Sequence, residues 1–217
     1  MTRWALCAVP LLTMAACDGA YTGPIGKDPV PVSAFGAVGA VPSAAGDFAG
    51  IAASETTVVA DAAGNGYAFA YAPVNAGDFG GPAVLANLAV AGVLPGTDPG
   101  AAPLTGTATM TGTYRMVVVT GASTITRPSA WTVTRPGGAL SATLDFARGT
   151  VTGTSTDGAL VLSADAAAGF ADGFAGRVVY AGTPGTFAGL AGPDDAVAAM
   201  TGGAGDTFFA GGFAIGR

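Results

Sequence analysis

Thr105–Val119 reads TGTATMTGTYRMVVV. Ala108, Met110, Gly112, Tyr114, Met116 and Val118 fall on one side of this stretch, and Thr107, Thr109, Thr111, Thr113 and Arg115 on the other. A period of two, rich in threonine, valine and tyrosine, predicts a half-buried β-strand. Downstream the pattern repeats. Trp131 and Val133 suggest the next strand, ending at Pro136-Gly137-Gly138. Leu140, Ala142, Leu144 and Phe146 alternate with Ser141, Thr143 and Asp145. Residues 151–156 and 159–165 flank Asp157-Gly158, a dipeptide suited to a tight hairpin in which both central residues take positive φ. Phe170, Phe174, Val178 and Tyr180 follow, then 186–190 and 208–215. About eight short strands with turn signals between them predict an all-β antiparallel sandwich or barrel.

Glycine decides between the two. It makes up 36 of 217 residues, and Gly112, Gly153, Gly176, Gly189 and Gly211 interrupt otherwise β-like runs. Glycine weakens a strand but permits sharp coiling at barrel corners. Small residues facing large ones let Phe146, Phe174, Phe187 and Phe213 fill a narrow eight-stranded barrel. A small up-and-down barrel over 105–217 is therefore the expected fold, with a sandwich as the alternative. A membrane-spanning barrel needs aromatic girdles and about 9–11 residues per strand. Several of these strands are shorter, and their outer positions carry Thr, Ser, Asp and Arg.

Upstream, residues 46–104 read as a small β-rich or mixed element. Residues 55–61 and 66–71 look like two strands around a turn at 62–65, and 95–103 is a loop. Residues 83–94 are apolar throughout and fit a helix or a buried strand equally, because periodicity cannot separate them. Pro24, Pro29, Pro31 and Pro42 among Gly, Ala and Ser make 17–45 an expected disordered tether. At ~3.1 Å per residue, its stretch of about 28 residues beyond Cys17 reaches ~90 Å at full extension.

The N-terminus carries an export signal. Arg3 supplies a positive charge, residues 4–12 a short apolar core, and Met14-Ala15-Ala16-Cys17 two small residues before a cysteine. Residues 1–16 are thus expected to be a signal peptide cleaved after Ala16, a pattern that resembles the bacterial lipobox. That resemblance implies Cys17 acylated on sulfur as the first mature residue, and the mature chain held on a membrane. Met14 stands where the lipobox prefers leucine. Cleavage removes Cys7 and leaves Cys17 as the one thiol, so no intramolecular disulfide can form and the core alone must stabilise the fold. Asp18 resembles an inner-membrane retention signal of enteric bacteria, so which membrane and which leaflet stay open.

The barrel half resembles the barrel domain of transferrin-binding protein B-like surface lipoproteins. Four stretches carry the resemblance: the opening strand 105–119; LSATLDFARGTVTGT at 140–154; GTFAGLAGPDDAVAAM at 185–200; and FFAGGFAIGR at 208–217. It implies a closed barrel, one short helix near 193–200 after Gly192-Pro193, and a non-catalytic envelope protein of the outer membrane or cell surface that binds a protein or small solute. Two departures stand out. Leu190-Ala191 replaces the family's aromatic pair, and apolar Val197 or Ala198 its acidic residue. The chain also has room for one barrel where large members have two lobes.

Chemistry-bearing residues are few. Histidine is absent, which excludes Ser–His and Cys–His catalysis and histidine metal sites. A net charge of −6 with a single lysine, Lys27, argues against nucleic acid. Asp194-Asp195 reads as the acidic first turn of the expected helix rather than a metal site. Residues 202–206, GGAGD, lack the recurrence of a calcium β-roll and read as a flexible loop. Arg115, Arg127 and Arg135 lie near Trp131, a combination found at protein-binding hot spots and equally at an ordinary solubilised face. The sequence thus predicts a monomeric, lipid-anchored module that needs no cofactor, catalyses nothing and binds an unidentified protein or small solute. A structural envelope lipoprotein without a soluble ligand is the alternative.

Overall fold

The computed structural model describes residues 31–32, 48, 55–71, 89–121, 131–163 and 173–217. Their strands are β1 (Pro31–Val32), β2 (Glu55–Ala60), β3 (Gly66–Tyr71), β4 (Ala89–Val93), β5 (Thr107–Thr120), β6 (Thr132–Thr134), β7 (Gly137–Asp145), β8 (Thr150–Ser155), β9 (Leu160–Ser163), β10 (Phe174–Tyr180), β11 (Thr183–Ala191), β12 (Asp195–Ala204) and β13 (Thr207–Gly216). No helix occurs among the described residues.

The alternation of β5 is read out as burial: Ala108, Met110, Tyr114 and Met116 are buried, and Thr107, Thr109, Thr111 and Thr113 exposed. The chain then winds antiparallel through β7, β8, β9, β10, β11, β12 and β13, and β13 pairs back onto β5, with Gly216 opposite Thr111 and Phe208 opposite Val119. Closure gives an eight-stranded barrel with no free edge of its own. β6 is an added piece on the same side of β5 as β7. Val118 opposes Thr134 and Arg115 opposes Gly137, so β6 and β7 share one register. Between them Met116 N–H donates to Pro136 O at 3.0 Å. Proline has no N–H, so Pro136 interrupts the ladder without turning the chain. The strand expected to end at Pro136-Gly137-Gly138 instead runs through them.

The lumen is filled with rings. Phe174, Phe187 and Phe213 meet at centroid distances of 5.9, 5.8 and 6.3 Å. The five glycines read in the strands all occupy lumen-facing positions, and Gly185 and Gly202 lie beneath the Phe209 ring. A Cβ at Gly176 would stand 2.6 Å from Phe187 Cζ, and one at Gly202 would overlap the Phe209 ring. The expected pairing of small with large residues is what lets these rings fit.

Residues 193–200 correct the helix expectation. Only Gly192-Pro193-Asp194 form a turn, and Asp195–Ala204 is a strand. Ala196, Ala198 and Met200 point into the lumen, while Val197 and Ala199 face a second apolar layer. A strand buried on both faces loses its alternation and reads as a continuous apolar run. Here that run is alanine-rich, which local propensity reads as helix.

The second layer is an antiparallel sheet in the order β1-β4-β3-β2. Tyr67, Phe69, Ala89, Ala91 and Val93 pack against Val117, Val119, Ala188, Val197, Ala199, Phe208 and Ala210 on the outside of the barrel. Its other face buries Ala68, Ala70 and Val90 with Phe48 and Leu94. The undecided run before Leu94 is thus a buried strand over 89–93, and 83–88 lie outside the described residues. Pro31 and Val32, inside the stretch expected to be an unpaired tether, pair with Gly92 and Ala91 of β4. Proline is tolerated there because β1 is an edge strand. The loop at 95–103 is as expected, and Thr97 Oγ1 ties it back, accepting from Gly66 N–H at 3.2 Å.

Two turns also differ. At Asp157-Gly158 only Gly158 has positive φ (70°), and its N–H donates to Ser155 O at 2.9 Å. This is a type I turn closed by a glycine bulge. The turn with two positive φ values is Ala181-Gly182 (46° and 84°). Residues 202–204 continue β12, leaving Gly205-Asp206 as a two-residue loop.

Candidate functional site

Three regions gather polar groups. The first is the barrel mouth, where β8 turns into β9 and β10 into β11. Tyr114 and Tyr180 project into the lumen with centroids 6.4 Å apart, and Tyr180 meets Phe209 at 6.2 Å. Ser155 Oγ donates to Asp157 Oδ1 and accepts from Leu160 N–H at 2.9 Å. Ala159 N–H also donates to Asp157 Oδ1, at 3.1 Å. The Ser155 hydroxyl, then the Ala159 amide, hold the Asp157 carboxyl below the usual carboxylate range. Burial, then the Asp157 charge, pushes both tyrosine hydroxyls up. Both the proton and an acceptor site of the serine oxygen are taken up in closing the hairpin. The mouth is a lid made of side chains.

The second region is the open side of the barrel. Thr109, Thr143 and Thr152 stand side by side on β5, β7 and β8, as do Thr111, Ser141 and Thr154. All six are exposed, and the hydroxyls of Thr109 and Thr143 lie 3.4 Å apart. This side carries the hydroxyl-rich surface expected from the alternation. The opposite side, beneath the second layer, is apolar.

The third region lies where the two sides meet. Arg115 stands between two glycines, opposite Gly137 on β7 and Gly212 on β13. Arg135, between β6 and β7, takes the neighbouring position on the same surface. Both arginines are exposed. Trp131 is half-buried, edge-on to Phe208 at 6.3 Å, and joins Val133 in the apolar cluster between the layers. Of the arginine–tryptophan group read from sequence, the structure brings Arg115, Arg135 and Trp131 to one seam, and Arg127 lies outside the described residues. Trp131 serves the packing. Among the described residues Arg115 has no carboxylate partner, in contrast to Arg148 on Asp145 at 2.8 Å and Arg217 on Asp194 at 3.7 Å.

Asp194-Asp195 does not start a helix. Asp194 O accepts from Arg217 N–H at 3.0 Å and Asp195 O from Gly192 N–H at 2.8 Å, so the pair closes the β11–β12 turn and holds the C-terminal residue. Among the described residues no group of three His, Cys, Asp or Glu is placed to hold a metal. Cys17 and Ala16 lie outside the described residues.

The sequence reading missed that the second layer docks on the barrel. Its signal was present in Met116–Val119, Val197–Met200 and Phe208–Ala210, where apolar residues occupy both faces of a strand.

No family model and no curated protein matches the chain. Among solved structures it is similar to a double mutant of Transferrin Binding Protein B from Haemophilus parasuis Hp5, with TM-score 0.44 and 12% identity over 75% of this chain and 36% of that one. It is also similar to isotype 1 of that protein from serogroup B Neisseria meningitidis, with TM-score 0.44 and 13% identity over 78% and 36%. A point mutant from Actinobacillus pleuropneumoniae H49 gives TM-score 0.42 and 12% identity over 77% and 83%. The chain spans about a third of the length of the first two.

Proposed function

We propose that the chain is an exported, lipid-anchored, non-catalytic binding module of the bacterial envelope, acylated at Cys17 after cleavage at Ala16 and held in the outer membrane. This is the function class that the motif resemblance implies. The observation that carries the binding reading is the packing of the lumen: Tyr114, Phe187, Phe209, Phe213, Met110 and Met200 are all fully buried within the barrel. An interior taken up by its own side chains assigns recognition to the outer surfaces. The absence of histidine from the whole sequence supports a non-catalytic role, because general acid–base work near neutral pH most often uses that side chain.

The anchor is tested by labelling growing cells with a palmitate analogue. Label is expected on the wild-type chain and absent from Cys17→Ser, and equal labelling of both sinks the anchor. Protease shaving of intact cells tests exposure. Loss of the module from intact cells supports surface binding, whereas survival until the envelope is opened places it inside. A pull-down with the chain tests binding, and only a saturable partner supports it.

A further inference from the structure

In the second layer β3 and β4 are buried on both faces, and β1 and β2 form its two edges. Asp61 N–H donates to Asn65 O at 3.0 Å, which fixes the alternation of the β2–β3 ladder. Thr57 and Val59 exchange backbone hydrogen bonds with Phe69 and Tyr67. Thr56, Val58 and Ala60 therefore turn their N–H and C=O groups away from β3. These same three residues are the exposed ones, Val58 at 43%. The described edge carries no proline, lysine or bulge, the usual devices that keep an edge strand from pairing.

The layers run in parallel order across the molecule. β1 touches β11 and β12, β4 touches β12 and β13, and β3 touches β12, β13 and β5. β2 continues that progression toward the seam of β5 with β6 and β7. Val59 accordingly borders the same apolar cluster as Trp131 and Val133. On that progression a strand added outside β2 falls on the β6–β7 side of it, toward Arg115 and Arg135.

We infer that β2 is a docking edge for an extended segment of a partner protein whose barrel-facing side chains are carboxylates. This rests on the binding reading above and gives it a location. The partner strand continues the sheet through Thr56, Val58 and Ala60, the usual mode of strand addition. Its carboxylates meet the Arg115 guanidinium, which lacks a carboxylate partner among the described residues. A second copy of this chain fits poorly, because antiparallel β2–β2 pairing about Val58 sets Glu55 against Asp61, and like charges directly opposite are destabilising.

The test uses the full chain and two seven-residue peptides, Thr-Val-Glu-Val-Glu-Val-Thr and its lysine counterpart. Val58→Pro removes an outward N–H without touching the β3 ladder, and Arg115→Ala removes the charge. The glutamate peptide is expected to bind wild type saturably, and each variant about tenfold more weakly or worse. On binding, the amides of Thr56, Val58 and Ala60 are expected to become slow to exchange, a readout that stands even if Val58→Pro misfolds. The proposal is overturned by absent binding, by equal binding of a folded Val58→Pro, by equal binding of the lysine peptide, or by a β2-mediated dimer in place of peptide binding. A natural partner retained equally by wild type and Val58→Pro would leave the binding reading intact and remove this edge from it.

Discussion

The ring of Tyr67 lies directly on the backbone of Gly212, so closely that a Cβ at 212 would overlap ring atoms Cδ2 and Cγ. One residue sits on β3 of the outer layer, the other on β13 of the barrel. This contact seats the two layers against each other. It also leaves Tyr67 Oη buried without a well-formed hydrogen bond among the described residues, with only a weak approach from the Arg115 backbone. Burial raises its pKa far above the ordinary tyrosine value, against a smaller opposing effect of Arg115.

Gly212→Val is expected to lift the layers apart, at a cost of about 1–3 kcal/mol typical of overpacking. The Ala198 carbonyl, also within reach of a new Cβ, blocks relaxation toward β12. Thermal unfolding checks this, and an unchanged midpoint would contradict the seating.

Tyr67→Phe is expected to stabilise the protein by about 1 kcal/mol, because it keeps the ring and removes a buried hydroxyl that lacks a well-formed hydrogen bond among the described residues. A rise in denaturant midpoint with an unchanged m-value is the expected result. A fall would mean that the hydroxyl has a partner after all.

Phe209→Ala is expected to cost about 3–5 kcal/mol, as for other buried rings. Gly202→Ala is also expected to destabilise, because the new methyl meets that ring. In the double variant part of the second penalty should vanish and part persist, since Pro184 O lies 2.5 Å from the same Cβ. A double-mutant cycle measures this, and strict additivity would show that the two sites are independent.

The mouth predicts opposite responses to acid and base. The carboxyl of Asp157 titrates below its ordinary value when folded. Its contribution is therefore present above the unfolded value of roughly 3.9 and is lost as the pH falls through the folded one. Tyr114 and Tyr180 titrate above their ordinary value. Their contribution is full below about pH 10 and is lost as the pH rises through the folded values. Asp157→Asn is expected to flatten the acid limb of denaturant midpoint against pH. It should also move tyrosine titration, followed by ultraviolet absorbance, toward the ordinary value without reaching it, because burial is the larger cause. An unchanged acid limb would remove Asp157 from the account.

How much was legible depended on how many faces of a strand meet apolar neighbours. β5 up to Arg115 and β7 have one buried face, and their alternation marked the strands and the residues that share a face correctly. β12 has two, so no alternation marked it as a strand against the short helix that the family resemblance implied there. The glycine–phenylalanine pairing was readable because both partners lie in the lumen. The Tyr67–Gly212 contact was not, because it joins strands far apart in sequence and no local pattern marks it. Arg115 and Arg135 stood out as residue types, but their common seam exists only once β6 and β7 share a register across Pro136. The free edge of β2 had no trace in composition at all, since it is defined by which backbone groups β3 leaves unused.

The pairing of Pro31 and Val32 with β4 shortens the leash. Were Cys17 acylated as proposed, about 14 residues would separate the lipid from Pro31, the first described point at which the chain pairs. At ~3.1 Å each they span ~43 Å at most. An acylated module would then ride within a headgroup-hugging shell instead of roaming at the full length of its linker, and a large ligand would have to come down to meet it.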